Sequence, residues 1–196
     1  HGTGERDCFI PKNDYFIEMD YDSFHPHLIA EMVGYDFKDN PHNEFAKLYF
    51  GTKDIIPSQY KESKILTFKQ IYGGIHKKYL SHPFFRRTQD FIDKKWNEFQ
   101  EDGLVWAANW KEIKKDNHKE MTPQKLFNYL VQGKETAVNM HTIAVINECL
   151  KDTKTNLVLY NYDAFVFDFD DDEYDSIYGV LKFIVMKDYP MSIKKG

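Results

Sequence analysis

Asn156-Leu157-Val158-Leu159-Tyr160-Asn161-Tyr162-Asp163-Ala164-Phe165-Val166-Phe167-Asp168-Phe169 is the stretch on which the fold turns. Residues 156–162 and 164–169 are two runs rich in β-branched and aromatic residues, each of strand length. Asp163 stands between them, so they read as two antiparallel strands with Asp163 at or beside their turn. Toward the N-terminus, Phe16-Ile17-Glu18-Met19-Asp20-Tyr21 is another β-compatible run, preceded by Pro11 and the Lys12-Asn13-Asp14 turn cluster. Helical signals fill the middle. Leu28 to Val33 ends at Gly34, and Asn43 to Phe50 is bracketed by Pro41 and Pro57. From Ser58 onward Tyr60, Lys64, Phe68 and Tyr72 recur every fourth residue, which stacks them on one helix face until Gly73-Gly74. Phe84 to Gln100 is amphipathic and stops at Gly103, and a short hairpin is expected over 104–113. Thr122 as N-cap and Pro123 at the first helical position start a helix that should break near Gly133 and resume through Leu150. Strands and helices do not alternate as βαβα, so an α+β fold is expected, not a doubly wound sheet.

Composition narrows the class. The chain has 196 residues, enough for one domain or two small lobes. Hydrophobic residues make up 42% and charged residues 29%, which argues against intrinsic disorder. Aromatics reach 16%, ample material for a core. No apolar run approaches the roughly 20 residues of a membrane span, and no signal peptide is evident. Cys8 and Cys149 are too few for a disulfide framework or a four-thiolate zinc site. The net charge of −5 argues mildly against a surface that binds nucleic acid all over.

Two carboxylates stand out. Asp20 ends an apolar strand and Asp163 lies between two others. A carboxylate in such surroundings is costly unless it is paired or holds a metal. Two of them on one sheet would suit a hard cation such as Mg²⁺, and the alternative is that each is a solvated turn residue. The Lys64/Phe68/Tyr72 stripe also has two readings. Phe68 and Tyr72 are core residues beside a snorkelling Lys64, or the helix offers a cation to a phosphate and a platform to a base.

The order of these pieces carries a resemblance. Phe16-Ile17-Glu18-Met19-Asp20-Tyr21-Asp22 resembles motif A of the family A (DNA polymerase I-like) DNA polymerases. Lys64-xxx-Phe68-xxx-Tyr72-Gly73 is similar to their motif B, and Leu159-Tyr160-Asn161-Tyr162-Asp163 occupies the place of motif C. Pro41-His42-Asn43-Glu44-Phe45-Ala46, Phe127-Asn128-Tyr129-Leu130-Val131-Gln132-Gly133, the lead-in strand Cys8-Phe9-Ile10-Pro11 and Tyr189-Pro190 resemble connecting segments. The details are most similar to divergent phage-borne members, which would place the protein in the cytoplasm of a bacterial host.

The resemblance implies an antiparallel palm sheet flanked by helices, with a helical fingers subdomain. Palm would cover residues 1–35 and 117–196, and fingers 36–116. It implies deoxynucleotide transfer to a primer 3′-OH with two Mg²⁺ ions, with primer–template DNA and dNTP as partners and no membrane. Asp20 and Asp163 would hold the metals, assisted by the main chain of Tyr21. Lys64 would meet the triphosphate and supply a proton to the departing pyrophosphate. His42 and Lys61 would be further phosphate contacts. Phe68 would stack on the incoming base and sugar, Tyr72 would sit where the templating base enters, and Gly73, Asn128 and Gln132 would meet the primer–template.

The chain departs from the family pattern in several places. Tyr60 stands where the family has an arginine, leaving Lys61 beside it without arginine's bidentate fork. Tyr162 and Ala164 replace the flanking histidine and glutamate of motif C. His25, followed by Pro26, falls where the family has the glutamate gate against ribonucleotides. The family's Thr-Gly-Arg segment, thumb and exonuclease are not expected within these 196 residues. A chain of this kind could therefore be a nucleotide- or primer–template-binding fragment that needs those parts for activity. The acidic run Asp168, Asp170, Asp171, Asp172 and Glu173 reads as a solvated turn. His76, His82, His118 and His141 show no ligand spacing.

Overall fold

A computed structural model describes residues 9–118 and 120–196. It builds on β1 (Tyr15–Tyr21), whose side chains alternate with period two: Ile17, Met19 and Tyr21 are buried, while Phe16, Glu18 and Asp20 take the other face. The remaining elements are α1 (Phe24–Val33), α2 (Pro41–Phe50), α3 (Pro57–Gly73), α4 (Pro83–Asp102), β2 (Leu104–Ala107), β3 (Lys111–Lys114), α5 (Pro123–Leu150), β4 (Asn156–Asn161), β5 (Ala164–Phe169), α6 (Tyr174–Met186) and β6 (Met191–Lys195). The fold class is α+β, as expected. The chain divides into two compact units, one of Val138–Gly196 with the residues up to Phe24, the other of His25–Ala137.

The first unit holds a four-stranded sheet in the order β4-β5-β1-β6, antiparallel throughout. Asp20 pairs with Ala164 on one side and with Ser192 on the other. On one face of β5 Phe165, Phe167 and Phe169 are all at 0% exposure, and on the other Ala164 and Asp168 are buried with Val166 half-buried between them. Each of these phenylalanines contributes about 1.5–3 kcal/mol by leaving water. α6 adds Leu181 and Val185 to the buried set. Between β4 and β5 the chain turns at Tyr162 and Asp163. Tyr162 has φ 56°, a left-handed conformation that costs a side chain about 1–2 kcal/mol. Asn139 offsets that cost: it is fully buried, and its Nδ2 donates to the Tyr162 carbonyl (2.9 Å) and the Tyr160 hydroxyl (2.8 Å).

The second unit has two apolar clusters. Ile29, Phe45, Ile71, Phe84, Phe85, Ile92, Phe127 and Val131 form one, and Phe99, Val105, Ala107, Ile113, Leu126 and Leu130 form the other. Helix ends follow local chemistry. The Asn40 side chain accepts from His42 N before α2, and Gly51 ends that helix at φ 66°. α3 starts at Pro57, with Gln59 Oε1 accepting from Ile56 N. Thr122 Oγ1 accepts from Lys125 N at the start of α5.

The structure corrects the sequence reading at three places. α5 does not break at Gly133 but runs unbroken from Pro123 to Leu150. The glycine serves close packing instead: a Cβ there would sit 2.5 Å from the Ala107 Cβ of β2. Phe9-Ile10-Pro11 is not a strand, and Phe9 and Ile10 lie exposed, while Cys8 lies outside the described residues. The acidic run is not simply solvated. Asp168 is 4% exposed on β5, where it accepts from the backbone N–H groups of Lys12 and Asn13 at 3.0 Å. Glu173 likewise accepts from Lys154 N and Thr155 N at 2.8 Å.

Candidate functional site

The candidate residues fall into two clusters, one in each unit. In the sheet unit, β1 brings Asp20 to its C-terminal end and the β4–β5 turn brings Asp163 beside it. Tyr21 N donates to the Asp163 carbonyl at 2.9 Å, which ties the turn to β1. The Asp20 carboxyl is held above the ordinary carboxylate range. Burial is the main cause, the Asp163 charge is the next, and Lys194 opposes both. Lys194 Nζ lies 2.9 Å from Glu18 Oε1 and 3.7 Å from Asp20 Oδ2. Asp22 accepts from Ser192 Oγ at 2.7 Å. The Tyr21 ring is buried, stacked on Phe24 and edge-on to Phe165 and Tyr189, so only its main chain remains for a ligand.

The donor set is of the kind an open divalent-cation site could use. Among the described residues no group of three or more His, Cys, Asp and Glu is arranged to hold a metal, so there is no all-protein cage. Mg²⁺ does not need one, because it keeps waters and takes one or two carboxylates plus substrate phosphates. Two like charges close enough to raise one carboxyl are stabilised by a dication, and Asp20 and Asp163 are such a pair.

In the helical unit, α3 presents Lys61, Lys64 and Phe68 outward. Phe68 is 41% exposed, so it is not a core residue. Lys64 Nζ lies 4.9 Å over the Tyr60 ring. The buried face of α3 is mostly polar: Ser63, Thr67, Gln70 and Ile71. Ser63 Oγ donates to the His42 carbonyl at 2.9 Å, which fastens α3 to α2. His42 is 2% exposed and its Nδ1 has no hydrogen-bond partner among the described residues. Burial, with the Lys64 charge second, pushes its imidazole down to about 4, so it is neutral at physiological pH and offers a ligand one N–H at most.

Tyr72, one turn beyond Phe68, stacks on it with ring centroids 5.9 Å apart and planes within 9°. The Tyr72 hydroxyl is hydrogen-bonded to His25 Nδ1, and Glu135 Oε2 lies 3.2 Å from His25 Nε2. Gly73 ends α3 exposed, and Gln132 is exposed on α5. Asn128 Oδ1 is buried with no hydrogen-bond partner among the described residues, an orphaned acceptor of the kind a bound ligand satisfies. Arg87 donates to the Gly34 carbonyl and is structural.

Sequence reasoning missed Glu135, Asn139 and Lys194. A signal existed for the first two. Phe127, Val131, Glu135, Asn139, Thr142 and Ile146 are all buried at helical spacing, so three polar residues, Glu135 and Asn139 among them, interrupt an apolar stripe. Nothing local marks Lys194.

No family model matches the chain, and no curated protein does. Among solved structures it is similar to the POL domain of Pol1 from M. smegmatis in complex with DNA primer-template and dNTP, with a TM-score of 0.80 at 15% sequence identity. The likeness is one of fold: the α+β arrangement of this chain is similar to that of the solved domain. The match covers 97% of this chain and 41% of the solved chain, so this chain spans about two fifths of that protein's length. Among the described residues no helix is long and apolar enough to cross a membrane.

Proposed function

We propose that this chain is the palm-and-fingers portion of a family A DNA polymerase, transferring deoxynucleotides to a primer 3′ end. The reading rests on one observation above the others. On a fold similar to that of a polymerase domain, Asp20 stands near the end of β1 and Asp163 in the β4–β5 turn that the 2.9 Å bond from Tyr21 N to the Asp163 carbonyl ties to it, close enough for the charge of one to raise the carboxyl of the other. Mg²⁺ ions held there, when bound, favour the 3′-oxyanion and offset the charge of the triphosphate. Lys64 binds the triphosphate as a point charge and supplies a proton to the leaving pyrophosphate, with Lys61 as a second cation. His42 contributes a neutral donor. Phe68 stacks on the incoming base, and Tyr72 guards the template side. Gly73, Asn128 and Gln132 contact the primer–template.

The test is primer extension by this chain with Mg²⁺, a primer–template and all four deoxynucleotides, beside Asp20→Ala and Asp163→Ala. Metal-dependent extension that both variants lose supports the proposal. Variants that extend like the parent sink the site assignment. Primer–template binding without extension by the parent supports the second reading, a binding fragment.

A further inference from the structure

We propose that Glu135 is a positioning residue: through the His25 ring it locks Tyr72, and with it the Phe68 face on which a nucleotide base stacks. This rests on the reading of Phe68 as nucleotide-facing. The observations lie within the helical unit and join three helices. Glu135, on α5, is a nearly buried carboxylate. Its Oε2 lies 3.2 Å from Nε2 of His25 on α1, with the two side chains 12% and 26% exposed. Nδ1 of the same ring meets the hydroxyl of Tyr72 on α3. The His25 ring stands edge-on to Tyr72 (centroids 5.8 Å, 74°) and to Phe68 (6.4 Å, 72°).

The chemistry sets the direction of this chain of contacts. An ionised carboxylate only accepts, so the imidazole nitrogen that faces it carries the proton. In a neutral ring the other nitrogen then has a lone pair, and Nδ1 accepts from the Tyr72 O–H. Each group has one role left, so the ring of His25 cannot turn over without breaking both contacts. Burial, and then the Glu135 charge, hold the Tyr72 phenol well above its ordinary range, which keeps its proton in place. A carboxylate in this position is costly to bury unless it is partnered. Here its partner is the ring that holds the platform. A platform held before the ligand arrives spares the ligand the ordering cost.

The test uses ¹⁵N-labelled chain without nucleotide, in buffer above the ordinary imidazole titration range. His25 is expected to show a protonated Nε2 and an unprotonated Nδ1. Glu135→Gln keeps an acceptor and is expected to retain that pattern. Glu135→Leu is expected to lose it, with the two nitrogens averaging between tautomers. Affinity for dATP should fall about 3–10-fold in Glu135→Leu and stay near the parent value in Glu135→Gln. A protonated Nδ1 in the parent overturns the proposal even if Glu135→Leu does not fold, and so does an unchanged His25 pattern in Glu135→Leu. An intact tautomer pattern in a parent that binds no dATP overturns the nucleotide-facing reading of Phe68 and leaves the clamp on Tyr72 standing.

Discussion

The sheet unit and α3 hold their functional side chains by opposite means. Asp20 and Asp163 sit at the end of strands whose other residues are among the most buried in the chain, with Met19, Phe165 and Phe167 at 0% exposure. Lys64 and Phe68 sit on a helix whose buried face is Ser63, Thr67, Gln70 and Ile71, fastened by hydrogen bonds such as Ser63 Oγ to the His42 carbonyl. Apolar burial is strong and non-directional, whereas a hydrogen bond nets only about 0.5–1.5 kcal/mol. Acids that must stand close together against their own repulsion therefore ride on a rigid sheet. The candidate cations and rings ride on a helix whose buried face is mostly polar.

The largest expected effect is chemical. On the proposed reading, Asp163→Asn removes a charge assigned to the metals and should lower Mg²⁺-dependent extension by about 10³-fold, while Lys64→Ala should cost roughly 10–100-fold, mainly in KM for dNTP. A larger loss from Lys64→Ala, measured by steady-state kinetics, would invert the comparison. Stability comes next. Phe167→Ala should cost about 3–5 kcal/mol, but Ser63→Ala only about 1 kcal/mol, in urea unfolding followed by circular dichroism. Equal losses would mean that α3 is held as firmly as the sheet. Hydrogen exchange offers a further measure, with α3 amides expected to exchange before those of β1 and β5.

The smallest effect is in pH dependence. The folded Asp20 carboxyl lies above its unfolded value, so its contribution to stability is full below the unfolded pKa and is lost as pH rises through the folded one. At neutral pH without Mg²⁺ the ionised group is a liability. Asp20→Asn should therefore raise the thermal midpoint there, by a small amount because the group is partly solvated. The gap should close below about pH 3.9, where both side chains are neutral, and added Mg²⁺ should close it from the other side. A midpoint lowered by Asp20→Asn in chelator would show that Lys194, 3.7 Å away, already outweighs Asp163.

Much of this was legible in advance, because local rules govern it. The β-compatible run after the Lys12-Asn13-Asp14 turn cluster marked β1, the apolar runs around Asp163 marked β4 and β5, and Thr122-Pro123 marked the start of α5. Gly133 misled, because a glycine in a helix reads as a break unless one knows that Ala107 lies against it. Asp168 misled as well: among neighbouring acids it looked solvated, yet it anchors the backbone of Lys12 and Asn13.

The sequence by itself determined most of the elements as far as β5, though not α6 or β6, the α+β class and the order of the acidic and basic candidates, since propensity, periodicity and capping act within a few residues. Only the tertiary structure decided which partner each polar group has. Glu135 reaches His25 and Tyr72 across more than 60 residues of chain on either count, and Lys194 reaches Glu18 across 176. Such pairings depend on where the apolar core sets the backbone, and no local pattern records that.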